Sequence, residues 1–366
     1  GYPLLVDGIF GTNTCRALAD FLQTDRTPDR ICVVDRSVWE KLLPYLRGYA
    51  TEEGENRILF EDPVTSVEVP YTSLLTAAVI DGILARYPFL KSGEIGKSVM
   101  GKPISYLEIG NGEKEVFYNA SFHANESITT PVLLKFAEEY AQAYEKGTAL
   151  YGVPAAELFE EYRLFLVPLV NPDGVDLVNG LLTDGGYYRR AQQIASDYPA
   201  IPFPSGWKAN IEGIDLNLQF PAGWENAKRI KYAQGYTKPA PRDYVGEAPL
   251  TAPESEAVYA FTRSHDFRLI LAYHTQGEVI YWKYLDYEPA HSYEIAQYFG
   301  RVSGYTVEET PTQSGYAGYK DWFIQEYDRP GYTIEAGMGE NPLPMSDFAG
   351  IYRDNAGILL GGMTQI

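Results

Sequence analysis

Apolar positions change period repeatedly along the chain. From about residue 66 onward, stretches with apolar residues three or four apart alternate with short β-branched and aromatic runs. The helical period predicts helices over 70–86, 127–146, 253–264, 288–303, 318–327 and 346–360. The short runs predict strands over 104–109, 115–121, 163–170, 268–274, 278–283 and 331–335. Such alternation predicts an α/β domain whose helices cover a largely buried sheet. Residues 1–50 read differently, as a small helical unit: Asp7-Gly8-Ile9-Phe10-Gly11 has turn chemistry. Thr12-Asn13-Thr14 then offers N-caps ahead of Cys15, Leu18, Phe21 and Leu22 at helical spacing. The polar stretch 51–66, with Glu52-Glu53-Gly54-Glu55-Asn56, reads as a linker to the large domain at 67–366.

Composition removes several classes of function. The 366 residues are 45% hydrophobic and 22% charged, which excludes a disordered or fibrous chain. Thirty Lys and Arg against 49 Asp and Glu leave a net charge of −19, so nucleic acid and anionic membrane are set aside as partners. No apolar run approaches the ~18 residues of a membrane span; the longest, Leu74 to Leu84, is broken by Asp81 and Gly82. Two cysteines, Cys15 and Cys32, exclude a disulfide framework and a four-thiolate metal site. They read either as one bridge or as two buried small hydrophobes. Thirty Tyr with 34 Gly and 24 Pro resemble the usage of loop-rich secreted enzymes. No signal peptide is visible, so the protein is expected either to be intracellular or to start here after processing or at an artificial boundary, and the lack of an initiating Met favours the second.

In open α/β sheets ligands bind beyond the carboxyl ends of strands, and two of the four histidines fall there. His123 follows the predicted strand ending at Ser121, and Glu126 stands three residues later at the start of a helix. His274 ends the strand of Leu269 to Tyr273. Two His and one Glu, with a position left for water, form a ligand set used by catalytic zinc. The alternative is that each His is a strand-end residue bonded to a backbone carbonyl, the reading kept for His265 and His291.

The surrounding text resembles that of the zinc carboxypeptidases. Phe122-His123-Ala124-Asn125-Glu126 is similar to their His-x-x-Glu motif, Tyr273-His274-Thr275 to their third ligand, and Gly331-Tyr332-Thr333-Ile334-Glu335-Ala336-Gly337 to the strand bearing their general base. Asn171-Pro172-Asp173-Gly174 and Gly213-Ile214-Asp215-Leu216-Asn217 are two further landmarks in the family's order. The resemblance implies a mixed central β-sheet flanked by helices and one Zn²⁺ per chain on His123, Glu126 and His274. It implies Glu335 as general base and acid, and Asp215 as the acid orienting His123. It also implies an oxyanion Arg within Tyr187-Tyr188-Arg189-Arg190, where Arg189 aligns better than Arg190. A mobile substrate-binding Tyr is expected within Ser314-Gly315-Tyr316-Ala317-Gly318-Tyr319, and the flanking glycines favour Tyr316, with Tyr319 packing on the following helix.

One departure matters. Where carboxypeptidases read Asn-Arg and clamp the terminal carboxylate of the substrate, this chain reads Asn217-Leu218. Asn217 keeps one hydrogen bond for substrate, but Leu218 cannot pair with a carboxylate as an Arg fork does. The same departure, with His123-Ala124-Asn125-Glu126, Asp215 to Glu225 and Pro239 to Tyr244, resembles the bacterial γ-D-glutamyl-L-diamino acid endopeptidases. That resemblance implies peptidoglycan stem peptides or muropeptides as partners, a free α-carboxylate on D-Glu needing a cation, and secretion or wall association, with a cytoplasmic or spore-associated place as the alternative. Arg190 and Lys320 are the candidate cations. Val6 to Thr14, with Phe21 and Gln23, is similar to the motif of small peptidoglycan-binding modules, and without their usual first helix the module is expected to be truncated or divergent. Two rival readings are a carboxypeptidase that clamps a terminus by another residue, and a wall-binding protein without turnover.

Overall fold

The computed structural model describes residues 63–366 and, before them, Ala17, Leu18, Val38 and Lys41. Apart from those four residues, the expected module at 1–50, with the two cysteines, and most of the 51–66 linker therefore lie outside the described residues.

The elements, in chain order, begin with α1 (Ser73–Arg86), β1 (Lys91–Lys97), β2 (Pro103–Ile109), β3 (Lys114–Ala120) and α2 (Thr129–Glu145). The short pair β4 (Ala149–Leu150) and β5 (Val153–Pro154) precedes α3 (Ala155–Glu161), β6 (Tyr162–Val167), α4 (Pro172–Val178), α5 (Gly185–Ser196), α6 (Trp224–Ala233) and α7 (Pro253–Arg263). The last third holds β7 (Leu269–His274), β8 (Val279–Tyr281), α8 (Ser292–Ser303), β9 (Thr306–Glu308), α9 (Tyr319–Tyr327), β10 (Gly331–Glu335) and α10 (Phe348–Thr364).

Eight strands form one mixed sheet in the order β1-β2-β6-β3-β7-β10-β8-β9. Its centre, β6, β3, β7 and β10, is parallel. Side chains alternate across these central strands, which is why both faces are apolar. Tyr118, Leu271, Tyr273, Tyr332 and Ile334 pack towards Leu133 and Phe136 of α2, Phe299 of α8 and Ile351 and Leu359 of α10. Phe117, Ile270 and Ala272 point the other way, towards Val258 of α7 and Trp322, Phe323 and Ile324 of α9. Helix α10 comes close to the sheet because Gly362 stands over the Tyr118 ring, where a Cβ would collide with the phenol. The Tyr118 hydroxyl donates to the Leu359 carbonyl at 2.8 Å.

The six expected helices and six expected strands are all present, with ends shifted by up to four residues. The unforeseen elements have physical reasons for being faint. The edge strand β1, Lys-Ser-Gly-Glu-Ile-Gly-Lys, buries no residue fully and so carries no apolar alternation. The helices α3, α4, α5 and α6 are short or bury a narrow stripe.

Candidate active site

The carboxyl ends of β3, β7 and β10 meet at one point. After β3 the chain turns through Ser121, whose φ of 54° is left-handed, and His123 follows in extended conformation. His123 leads a single 3₁₀ turn, Ala124–Glu126, pinned by Ala124 N–H donating to the Lys208 carbonyl at 3.0 Å. That turn brings Glu126 back beside the ring of His123. His274 is the last residue of β7 and lies in register with Glu335, the last residue of the adjacent parallel strand β10.

His123, Glu126 and His274 are all buried, and their donor atoms converge. His123 Nδ1 lies 2.9 Å from Glu126 Oε1, His274 Nδ1 lies 3.0 Å from Glu126 Oε2, and the two Nδ1 atoms are 3.2 Å apart. Two imidazole nitrogens sharing a tetrahedral zinc at about 2.0–2.1 Å would stand roughly 3.3–3.4 Å apart, so the donor spacing fits that ion. The donor types fit as well. His123 Nε2, on the far side of its ring, meets Asp215 Oδ1 at 3.1 Å, the carboxylate partner that metal-bound imidazoles commonly have. His274 Nε2 is buried and has no hydrogen-bond partner among the described residues.

The electrostatics point the same way. Burial disfavours a charged imidazole, but Glu126 and Asp215 outweigh it and hold the His123 pKa up to about 9. Burial would raise the Glu126 carboxyl, yet His123 and Lys208 keep it well below the usual carboxylate range. Asp215 behaves likewise, held low against burial by His123 and Lys208. A cluster that binds a proton this firmly has excess negative charge, and a divalent cation replaces such protons on binding. At Glu335 the balance reverses: burial, opposed by His274 and helped by Glu126, raises its carboxyl above the ordinary value.

His123 and His274 open onto a cleft of roughly 200 Å³. Glu335, Asp215, Asn217 and Leu218 line it with His123 and His274, together with four cations, Lys208, Lys231, Arg242 and Lys320. Asn217 Oδ1 accepts from the Tyr319 N–H at 3.0 Å, which fixes the start of α9 and leaves the Nδ2 donors for the cleft. Tyr319 is fully buried, as expected.

Three expected residues lie elsewhere. Arg189 and Arg190 are exposed on α5, whose buried stripe is Ala191, Ile194 and Ala195, so both fall on the solvent face and neither lines the cleft. The cation beside the ligands is instead Lys208, with Nζ 2.8 Å from Glu126 Oε1. Tyr316 packs against Gly223 and the cluster of Leu218, Trp224 and Val245, and the cleft-lining tyrosine is Tyr281 of β8. Lys208 left one trace in the sequence: it stands between Trp207 and Ala209, both fully buried, so its stem is held while its charge must find an acid.

The profile of the zinc carboxypeptidase family, peptidase M14, matches residues 76–356. The chain is 49% identical over 278 residues to γ-D-glutamyl-L-diamino acid endopeptidase 1 of Lysinibacillus sphaericus, covering 76% of this chain and 68% of that protein. It is 44% identical over 283 residues to the uncharacterized protein YqgT of Bacillus subtilis (strain 168), covering 76% and 73%. In fold it is similar to the crystal structure of thrombin-activatable fibrinolysis inhibitor, with a TM-score of 0.65 at 17% identity, covering 89% of this chain and 80% of that one. With a buried His-Glu-His cluster that fits zinc at the strand ends of a carboxypeptidase-like sheet, this chain belongs to the zinc carboxypeptidase family of metallopeptidases.

Proposed function

We propose that this chain hydrolyses the amide bond between the side-chain carboxyl of D-glutamate and a diamino acid in peptidoglycan stem peptides. One observation carries the reading: Leu218, beside Asn217, lines the cleft with an apolar side chain where a terminal carboxylate would need a cation. A relative 49% identical over 278 residues, named for that endopeptidase activity, supports the same substrate.

His123, Glu126 and His274 would hold the zinc, which when bound supplies a Lewis acid for the scissile carbonyl and acidifies a water. Glu335 takes the proton of the attacking water and returns it to the leaving amine; burial raises its carboxyl towards the range where both transfers are easy near neutral pH. Lys208 places a fixed charge beside the ligands, where negative charge develops on the carbonyl oxygen. Asp215 accepts from His123 Nε2 and so holds the tautomer that leaves Nδ1 for the metal. The cleft lining sets Lys208, Lys231, Arg242 and Lys320 against Asp215, Asp243, Asp321 and Glu335, so it does not share the acidic excess behind the chain's net charge of −19. A wall substrate accords with a secreted or wall-associated protein.

The test is a pair of defined substrates incubated with zinc-loaded protein. One is an L-Ala-γ-D-Glu-diamino acid tripeptide whose C-terminus is blocked, the other an ordinary α-linked peptide with a free C-terminus. Cleavage of the first alone is expected; cleavage of the second alone would replace this reading with that of a carboxypeptidase.

A further inference from the structure

With Leu218 in place, the carboxylates of a wall peptide need another receptor, and the cleft offers four cations. Three are committed. Lys208 Nζ sits on Glu126 at 2.8 Å. Lys320, buried, donates to the Lys283 carbonyl at 2.6 Å and Thr310 Oγ1 at 3.2 Å, and its charge is paired with Asp321, 2.7 Å from Oδ1. Lys231, also buried, pairs with Asp243 Oδ1 at 2.5 Å, and that contact neutralises both charges.

Arg242 differs from all three. Its hydrogen bond uses Nε alone, 2.7 Å from Asp243 Oδ2, and its Nη donors make no hydrogen bond to a described residue. Because Lys231 already neutralises Asp243, the shared group of three keeps one net positive charge. It resides on the member whose side chain is 43% exposed, against 10% for Lys231. The backbone is held on both sides. The Pro241 carbonyl accepts from Lys208 N–H at 2.7 Å and Ala209 N–H at 2.9 Å, and Asp243 N–H donates to Asp215 Oδ2 at 3.0 Å. Asp243 adopts a left-handed φ of 66° to make that bond. The guanidinium therefore hangs from the same backbone that sets Lys208 and Asp215. It also lines a second cavity, which joins the first at Lys208, Tyr281 and Glu335.

We propose that Arg242 is a specificity-determining residue whose Nη pair receives a carboxylate of the substrate. The assignment rests on the γ-D-glutamyl reading, which offers two sources of that chemistry, the α-carboxylate of D-Glu and the carboxylates of the diamino acid. A planar two-donor fork matches a carboxylate, whereas a neutral carboxamide brings an N–H₂ towards donors that need an acceptor.

The experiment uses the zinc-loaded chain, wild type, Arg242→Met and Arg242→Lys, on three stem tripeptides: the free acid, the D-Glu α-carboxamide and the diamino acid carboxamide. Wild type is expected to prefer the acid over at least one carboxamide by roughly 10–100-fold in kcat/KM, chiefly through KM. The carboxamide it rejects identifies the carboxylate. Arg242→Met should cleave that carboxamide within about threefold of wild type yet lose the preference for acid, with zinc content unchanged, and Arg242→Lys should keep part of it. Equal wild-type rates on all three, or a preference that survives in Arg242→Met, would overturn the assignment. Failure of wild type to cut any of the three would remove the γ-D-glutamyl reading and this assignment with it.

Discussion

Asp215 grips His123 from the side opposite the other ligands: Oδ1 lies 3.1 Å from Nε2, while Nδ1 of the same ring faces Glu126 at 2.9 Å. The second oxygen, Oδ2, accepts the Asp243 N–H at 3.0 Å, so the carboxylate cannot rotate without losing a bond. Asp215→Ala should weaken zinc binding by about 10–100-fold while leaving the fold intact. Chelator competition measures this directly, and an unchanged zinc affinity would show that the ring needs no such partner.

Glu335 lines the cleft beside His274 but makes none of the contacts that join the three ligands. Glu335→Gln is therefore expected to retain zinc and to lose at least about 10²-fold in turnover, since the water has no base. Metal analysis alongside steady-state rates separates the two effects. His123→Ala, in contrast, should lose both.

Lys208, not Arg189, stands beside the ligands, and the proposed mechanism gives it the charge that develops on the carbonyl oxygen. Lys208→Ala should lower kcat by roughly 10²–10³-fold. Arg189→Ala, on the solvent face of α5, should change kcat/KM by less than about twofold, as surface substitutions usually do. Reversal of this order in side-by-side assays would restore Arg189 to the chemistry.

A pH effect on stability arises far from the ligands. Glu254, in the first turn of α7, is fully buried, and burial pushes its carboxyl from the ordinary 4.5 up to about 7 despite bonds from Val99 N–H and Asn210 Nδ2, each at 3.1 Å. Asp173 adds to the rise, and Lys102 Nζ lies 3.1 Å from that Asp173 carboxylate. The folded state then binds the extra proton between these two values, so this group's contribution falls as pH rises from about 4.5 through 7 and its full cost is present above 7. The total is on the order of 3 kcal/mol. Glu254→Gln should flatten the Tm-against-pH curve between pH 5 and 7.5, whatever its effect on the absolute Tm.

Gly362→Ala should destabilise the protein by about 1–3 kcal/mol, because the new methyl must displace the Tyr118 phenol and strain its bond to Leu359. Denaturant titration reads the loss. Zinc affinity should stay unchanged, since α10 packs on the sheet face opposite the α7 and α9 helices.

What the sequence made legible was whatever local order announces. His123 and Glu126 share one short turn and His274 ends an apolar strand, so spacing and strand ends point to these three, whereas Glu335, at the end of its own strand, is legible only through the resemblance to the zinc carboxypeptidases. The central strands were equally plain because both of their faces are apolar. The cleft cations were not. Arg189 was favoured by its position after Asn171-Pro172-Asp173-Gly174, but the stripe of Ala191, Ile194 and Ala195 turns it outward. Lys208 reaches the ligands only because its carbonyl bonds Ala124 N–H and its own N–H bonds Pro241, contacts between segments far apart in the chain. Arg242 depends on the left-handed Asp243, a conformation that a non-glycine residue does not advertise.

The central claim is the bond that is cut. Mass spectrometry of peptidoglycan fragments after incubation with zinc-loaded protein tests it most directly. The account predicts fragments ending at D-Glu together with free diamino acid or peptides that begin with it, all abolished in Glu335→Gln. Release of only a terminal residue, with the D-Glu to diamino acid bond intact, would contradict it.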